Sequence, residues 1–112
     1  VREPTWDSEF EVQAWLWCEL RALGFNVRGE VKYQLPKRAY CRFDLAEFVD
    51  GELVGVIEVK ARPVKHKTDA GWEGTRQGRR YNGLDVPVEL VCGMEQARAW
   101  VERVKAQGRI FA

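Results

Sequence analysis

Residues 43–60 read Phe43-Asp44-Leu45-Ala46-Glu47-Phe48-Val49-Asp50-Gly51-Glu52-Leu53-Val54-Gly55-Val56-Ile57-Glu58-Val59-Lys60. Two β-prone segments flank Asp50-Gly51, and an Asp-Gly pair between such segments is a strong hairpin signal. Asp44 and Glu58 each lie seven residues from Gly51. A hairpin centred on Gly51 therefore sets the two acids opposite each other, with Lys60 on the same face. Like charges so placed destabilise a sheet, so an offset is required. A divalent cation is one candidate and the Lys60 ammonium is the other.

Both strands are apolar on both faces near the turn. Ala46, Phe48, Val54 and Val56 share the face of the acids, and Leu45, Val49, Ile57 and Val59 share the other. A strand apolar on both faces is covered on both, so helices are expected to flank this sheet. Charge at the end of such a buried strand is costly unless paired.

Outward from the hairpin, Thr5 or Asp7 is positioned to cap a helix reaching Leu23, with Val12, Leu16, Leu20 and Leu23 as its apolar stripe and Gly24 as the stop. Phe25 to Tyr33 alternates as a strand. Arg62 to Trp72 reads as a basic loop and Glu73 to Asn82 as a helix weakened by Gly74 and Gly78. Val86 to Cys92 reads as a strand with Pro87 near its start, which favours an early or edge position. Met94 to Gln107 reads as a helix with Ala97, Trp100, Val101 and Val104 inward, and Ile110-Phe111 as a short returning strand. The expected order is α-β-β-β-α-β-α, an α/β fold with a mixed central sheet between helices.

At 112 residues, 46% hydrophobic and 31% charged, the chain has the size and composition of one globular domain, taken as residues 1–112. No apolar run approaches the roughly 18 residues of a membrane span, and no signal-peptide pattern follows Val1. Cys18, Cys41 and Cys92 are odd in number and widely spaced, which argues against a disulfide framework and CxxC metal pairs and for a reducing compartment. A cytoplasmic protein (prokaryotic, phage or nucleoid-associated) is expected, not a secreted one. The net charge of +1 alone points to no partner. Its distribution does: Lys60, Arg62, Lys65, Lys67, Arg76, Arg79 and Arg80 stand in one stretch against Asp69 and Glu73. Such a stripe suits phosphate binding, and equally a solvated surface.

Asp44 and Glu58 offer two carboxylates to a hard cation such as Mg²⁺, and the Val59 carbonyl is within plausible reach. Lys60 is suited to orient an attacking water or to stabilise charge on a scissile phosphate. The alternative is a salt-bridged acid-lysine cluster with no catalytic role. His66, between two lysines, reads as a phosphate contact or a bystander. Among the tryptophans, Trp15, Trp17 and Trp100 are expected in the core or an interface, while Trp72 in the basic loop is the candidate for base stacking.

Phe43-Asp44, thirteen residues, then Glu58-Val59-Lys60 resembles the PD-(D/E)XK nuclease superfamily, with Phe43 in place of the proline. The resemblance spans about residues 9 to 105. It implies an αβββαβ restriction-endonuclease-like core around the hairpin. It also implies a Mg²⁺-dependent DNA endonuclease, with Mn²⁺ as a substitute ion, that hydrolyses phosphodiester bonds without a covalent intermediate. In this reading Asp44, Glu58 and the Val59 carbonyl bind the metal. Glu11 is the aligned acid of the first helix, with Glu9 as the alternative, and Lys60 serves the attacking water. Gln77-Gly78-Arg79-Arg80-Tyr81 resembles the Q-x₃-Y motif of one branch, which implies that Gln77 helps hold the DNA backbone. Tyr81 completes that motif, and Arg62, Lys65, Lys67, Arg76, Arg79 and Arg80 would contact DNA around it. Residues 83–92 and the helix after them look like the virus-type replication-repair nucleases (VRR-NUC), and Holliday-junction resolvases share the core. Branched or structured DNA and a homodimer are the implied substrate and assembly. The competing readings are a catalytically silent DNA-binding module and the nuclease domain of a larger restriction, recombination or homing enzyme.

Overall fold

The computed structural model describes residues 1–34, 40–62 and 85–111. They form helix α1 (Glu9–Ala22), strands β1 (Val27–Gln34), β2 (Tyr40–Val49), β3 (Glu52–Lys60) and β4 (Val88–Cys92), and helix α2 (Met94–Gln107). The sheet runs β1-β2-β3-β4, antiparallel across the first three strands and parallel between β3 and β4. This is an α/β architecture with a mixed sheet. Neither α1 nor α2, each of 14 residues, is long and apolar enough to cross a membrane. The expected helix at Glu73 to Asn82 lies outside the described residues.

The hairpin turn is the pair Asp50-Gly51, both at positive φ (52° and 82°), as a type I′ turn requires. Val49 pairs with Glu52 and Phe48 with Leu53. A bulge then shifts the register, so that Glu47 pairs with Gly55, Ala46 with Val56 and Leu45 with Ile57. A turn centred between Asp50 and Gly51 would by itself misalign Asp44 and Glu58 by one residue. The bulge restores the offset that a centre on Gly51 would give. It also places Leu53, where an unbroken alternation would put Val54, with Ala46, Phe48 and Val56 in one apolar cluster.

Both described helices pack on one face of the sheet. Val12, Leu16 and Leu20 of α1 and Ala97, Trp100, Val101 and Val104 of α2 bury Leu45, Ile57, Val59 and Val91. Each fully buried Leu, Ile or Val contributes roughly 1.5–3 kcal/mol. The expectation of helices on both faces is not met by α1 and α2. The opposite face carries the second cluster, Phe43, Ala46 and Val56.

Three local expectations need correction. Ser8, not Thr5 or Asp7, caps α1: its hydroxyl accepts from the Glu11 amide at 3.1 Å. Serine with Glu three positions on is a capping-box pattern. The first strand begins at Val27, because the Phe25 amide still donates to the Leu20 carbonyl. Ile110-Phe111 is not a strand; both side chains are buried in the main core. The Phe111 ring packs against Gly55, where a β-carbon would clash with it.

On the side of β1 away from β2, the Trp17 indole N–H (2.7 Å) and the Arg21 guanidinium (3.1 Å) donate to the Val27 carbonyl. Gly29 admits the Trp17 ring, which a β-carbon there would meet at 3.1 Å.

The Gly55–Phe111 contact yields a stability test. Gly55→Ala should cost about 1–3 kcal/mol by overpacking. Adding Phe111→Leu should recover part of that loss in urea unfolding, because the clash is with the ring.

Candidate functional site

The site grows from an irregularity in β2. Residues two apart in a regular strand face the same way, yet Leu45 belongs to the helix-facing core and Phe43 to the opposite cluster, where its ring stands 5.4 Å from that of Tyr33. The alternation is reset at Asp44. Across from it, between the pairs Gly29↔Leu45 and Val31↔Phe43, stands Glu30, held at φ 54°. A left-handed backbone costs a non-glycine residue about 1–2 kcal/mol, so this kink needs support.

Gln13 of α1 supplies it. Its side-chain amide, buried in the helix–sheet interface, donates to Glu30 Oε1 at 2.8 Å and to the Asp44 carbonyl at 3.2 Å. Arg42 Nε meets the other Glu30 oxygen at 2.8 Å, but both side chains are largely in water, so that pair adds little.

With its backbone so held, Asp44 turns its carboxylate toward β3. Oδ2 accepts the Val59 amide at 2.8 Å. Neighbouring β3 amides point the other way: Val56 donates to the Pro87 carbonyl. The N–H and C=O of one strand residue point to the same side, so the Val59 carbonyl faces the edge where Asp44 stands. Continuing the register of Ala46↔Val56 and Leu45↔Ile57 sets Asp44 opposite Glu58.

Glu58 is 2% exposed. Lys60 Nζ lies 3.9 Å from its Oε1 and 3.7 Å from Glu9 Oε1. The end of β3 is pinned by the next crossover, where the Gly93 amide donates to the Lys60 carbonyl at 2.8 Å. Gly93 holds φ 88° there, and a β-carbon would meet the Ala61 carbonyl at 3.2 Å.

Glu11 is exposed at the third position of α1, its amide on the Ser8 cap. Its side chain lines an open cleft of about 220 Å³ with Glu3, Pro4, Thr5, Trp6 and Asp7. The acid of α1 paired with Lys60 is Glu9. Arg62, just past β3, lies with its guanidinium 4.3 Å over the Trp6 ring. Gln77, Tyr81, Lys65, Lys67, Arg76, Arg79, Arg80, His66 and Trp72 lie outside the described residues.

Mg²⁺ commonly takes one or two carboxylates and completes its shell with water and substrate phosphate. Asp44, Glu58 and the Val59 carbonyl have that donor chemistry. Among the described residues no group of three His, Cys, Asp or Glu side chains is arranged to hold a metal.

A third acid of the hairpin, Glu47, pairs with Val27 and Gly55, away from Lys60. Burial raises its pKa above the ordinary carboxylate value. The folded chain therefore binds this proton more tightly than the unfolded chain does. The corresponding stability is present below the ordinary carboxylate pKa and is lost as pH rises through the raised folded value.

Searches against family models, curated proteins and solved structures find no match to this chain.

Gln13→Leu keeps the volume but removes both amide bonds, and should lower unfolding stability by about 1–3 kcal/mol; an unchanged midpoint would show that Gln13 does not hold the kink. Glu47→Gln should raise the melting temperature relative to the parent at about pH 7, with the gain fading toward about pH 4. Parallel melting curves for the two proteins at both pH values would rule out the burial penalty.

Proposed function

We propose that this chain is a Mg²⁺-dependent deoxyribonuclease built on an αβββαβ restriction-endonuclease-like core. The observation that carries the reading is the Asp44 carboxylate fixed to the amide of Val59, the residue that stands in β3 between the buried Glu58 and the half-buried Lys60. The order α1-β1-β2-β3 followed by β4-α2, with β4 parallel to β3, is compatible with that core.

In this reading Asp44, Glu58 and the Val59 carbonyl hold the ion, and Mn²⁺ substitutes for Mg²⁺. A bound divalent ion would polarise the scissile phosphate and favour a hydroxide-like nucleophile. The chain's own residues do the rest. The Val59 amide fixes one Asp44 oxygen and leaves the other to face the ion. Glu58 and Glu9 hold the Lys60 ammonium at the end of β3, where it can donate to the attacking water or to a phosphate oxygen as negative charge builds. Glu11 is the further acid expected from the resemblance, acting through water or on a second ion. Arg62, Lys65, Lys67, Arg76, Arg79, Arg80, Gln77 and Tyr81 would position the DNA backbone. A homodimer would pair two sites, one for each strand of a branched or structured DNA.

Nicking of supercoiled plasmid in Mg²⁺, compared with EDTA, tests this function. Asp44→Asn keeps an oxygen for the Val59 amide but removes the charge. It should melt close to the parent while cleavage falls by about 10²-fold or more. Equal nicking by parent and variant would remove Asp44 from the site. DNA binding without metal-dependent cleavage by the parent would favour the catalytically silent module.

A further inference from the structure

Trp6 is set apart from the tryptophans of α1 and α2. Trp15 and Trp17 pack against the main core and Trp100 is buried in it, whereas Trp6 is 51% exposed. Phe10, in the first turn of α1, is 74% exposed. These rings belong to the same short segment as Glu9, which pairs with Lys60 at 3.7 Å. Arg62, two residues beyond Lys60, lies 4.3 Å over the Trp6 ring. Two separate contacts thus bind the segment from Trp6 to Glu9 along the end of β3, beside Lys60, whose ammonium also meets Glu58.

The Arg62 contact favours one orientation of the indole, because the ring quadrupole attracts the guanidinium. An oriented ring half in water, with a cation on it, is a platform of the kind on which unpaired bases stack. Charge around it sorts base from backbone. Glu3, Asp7 and Glu11 line the cleft together with Trp6 and repel phosphate. Lys60 and Arg62 attract it. A strand crossing here would run its phosphates along the β3 end and turn a neutral base toward the indole.

We infer that Trp6, held by Arg62, stacks an unpaired nucleobase next to the phosphate bound at the Asp44–Glu58–Lys60 site. The preferred substrate then carries single-stranded character at the point of cleavage. This rests on the nuclease reading and adds the class of DNA that the site selects.

The test is fluorescence anisotropy with a labelled oligothymidylate and a blunt duplex of equal length, in Ca²⁺ without Mg²⁺. Trp6→Ala should weaken single-strand binding by about 5- to 150-fold and leave duplex affinity within about twofold. Trp6→Phe, which keeps a ring, should retain most of the affinity, and matching melting curves would show that the variants are folded. Single-strand affinity unchanged in Trp6→Ala, or an equal loss on both DNAs, overturns the stacking inference and leaves the nuclease reading standing. If the parent protein binds neither DNA, both fall.

Discussion

The hydrogen bond from the Val59 amide to the Asp44 carboxylate takes the place of a rung in the β2–β3 ladder. A main-chain amide in the middle of a sheet must find an acceptor. Here the acceptor is a charged side chain, and that is possible only because β2 resets its alternation at Asp44. The reset depends in turn on Glu30 holding a left-handed backbone across the strand pair. It depends also on Gln13 tying that kink to α1. Helix, edge strand and hairpin therefore converge on one carboxylate. Its position is set by backbone geometry more than by the rotamer of a free side chain.

The position of Glu58 has a cost. A carboxylate 2% exposed loses most of its hydration, and such a group is tolerated only when charges or donors surround it. The Lys60 ammonium provides part of that compensation at 3.9 Å, and it is shared with Glu9 of α1. One cation serving two acids from different elements couples the start of α1 to the end of β3. A divalent ion between Asp44 and Glu58 would relieve the same electrostatic burden from the other side. Under the proposed function, ion binding would therefore add to stability at this end of the sheet.

The hairpin was legible in the sequence because Asp50-Gly51 is a turn signal with a clear mechanism, and because the spacing of the acids from Gly51 survives the bulge. The bulge left a trace that went unread: Gly55 interrupts the strand pattern, and a glycine there marks a bulge or a close approach. Both described helices were readable from their apolar stripes. The capping serine was not chosen, although Ser8 with Glu11 three residues later carries that pattern. Gln13 left a usable trace: an amide within the stripe of Val12, Leu16 and Leu20 is a polar group on a buried face and calls for a partner. Glu30 left little, because a left-handed glutamate is set by tertiary contacts and not by local propensity. Lys60 pairing with Glu9 was likewise beyond reach of periodicity. Helical spacing fixes which face a residue lies on, not how far a long side chain on a neighbouring strand will extend.

The Val27 carbonyl sits on the outer rim of the sheet formed by the described strands, and Trp17 and Arg21 both donate to it. An outer strand with open acceptors is a template for unwanted pairing with another chain. At this corner the first acceptor is already spoken for, and the indole covers the sheet face at Gly29. The left-handed backbone at Glu30 interrupts the regular edge a few residues later. The protein thus carries a built-in guard against runaway self-association along β1, made from the same helix whose Gln13 holds the Glu30 kink.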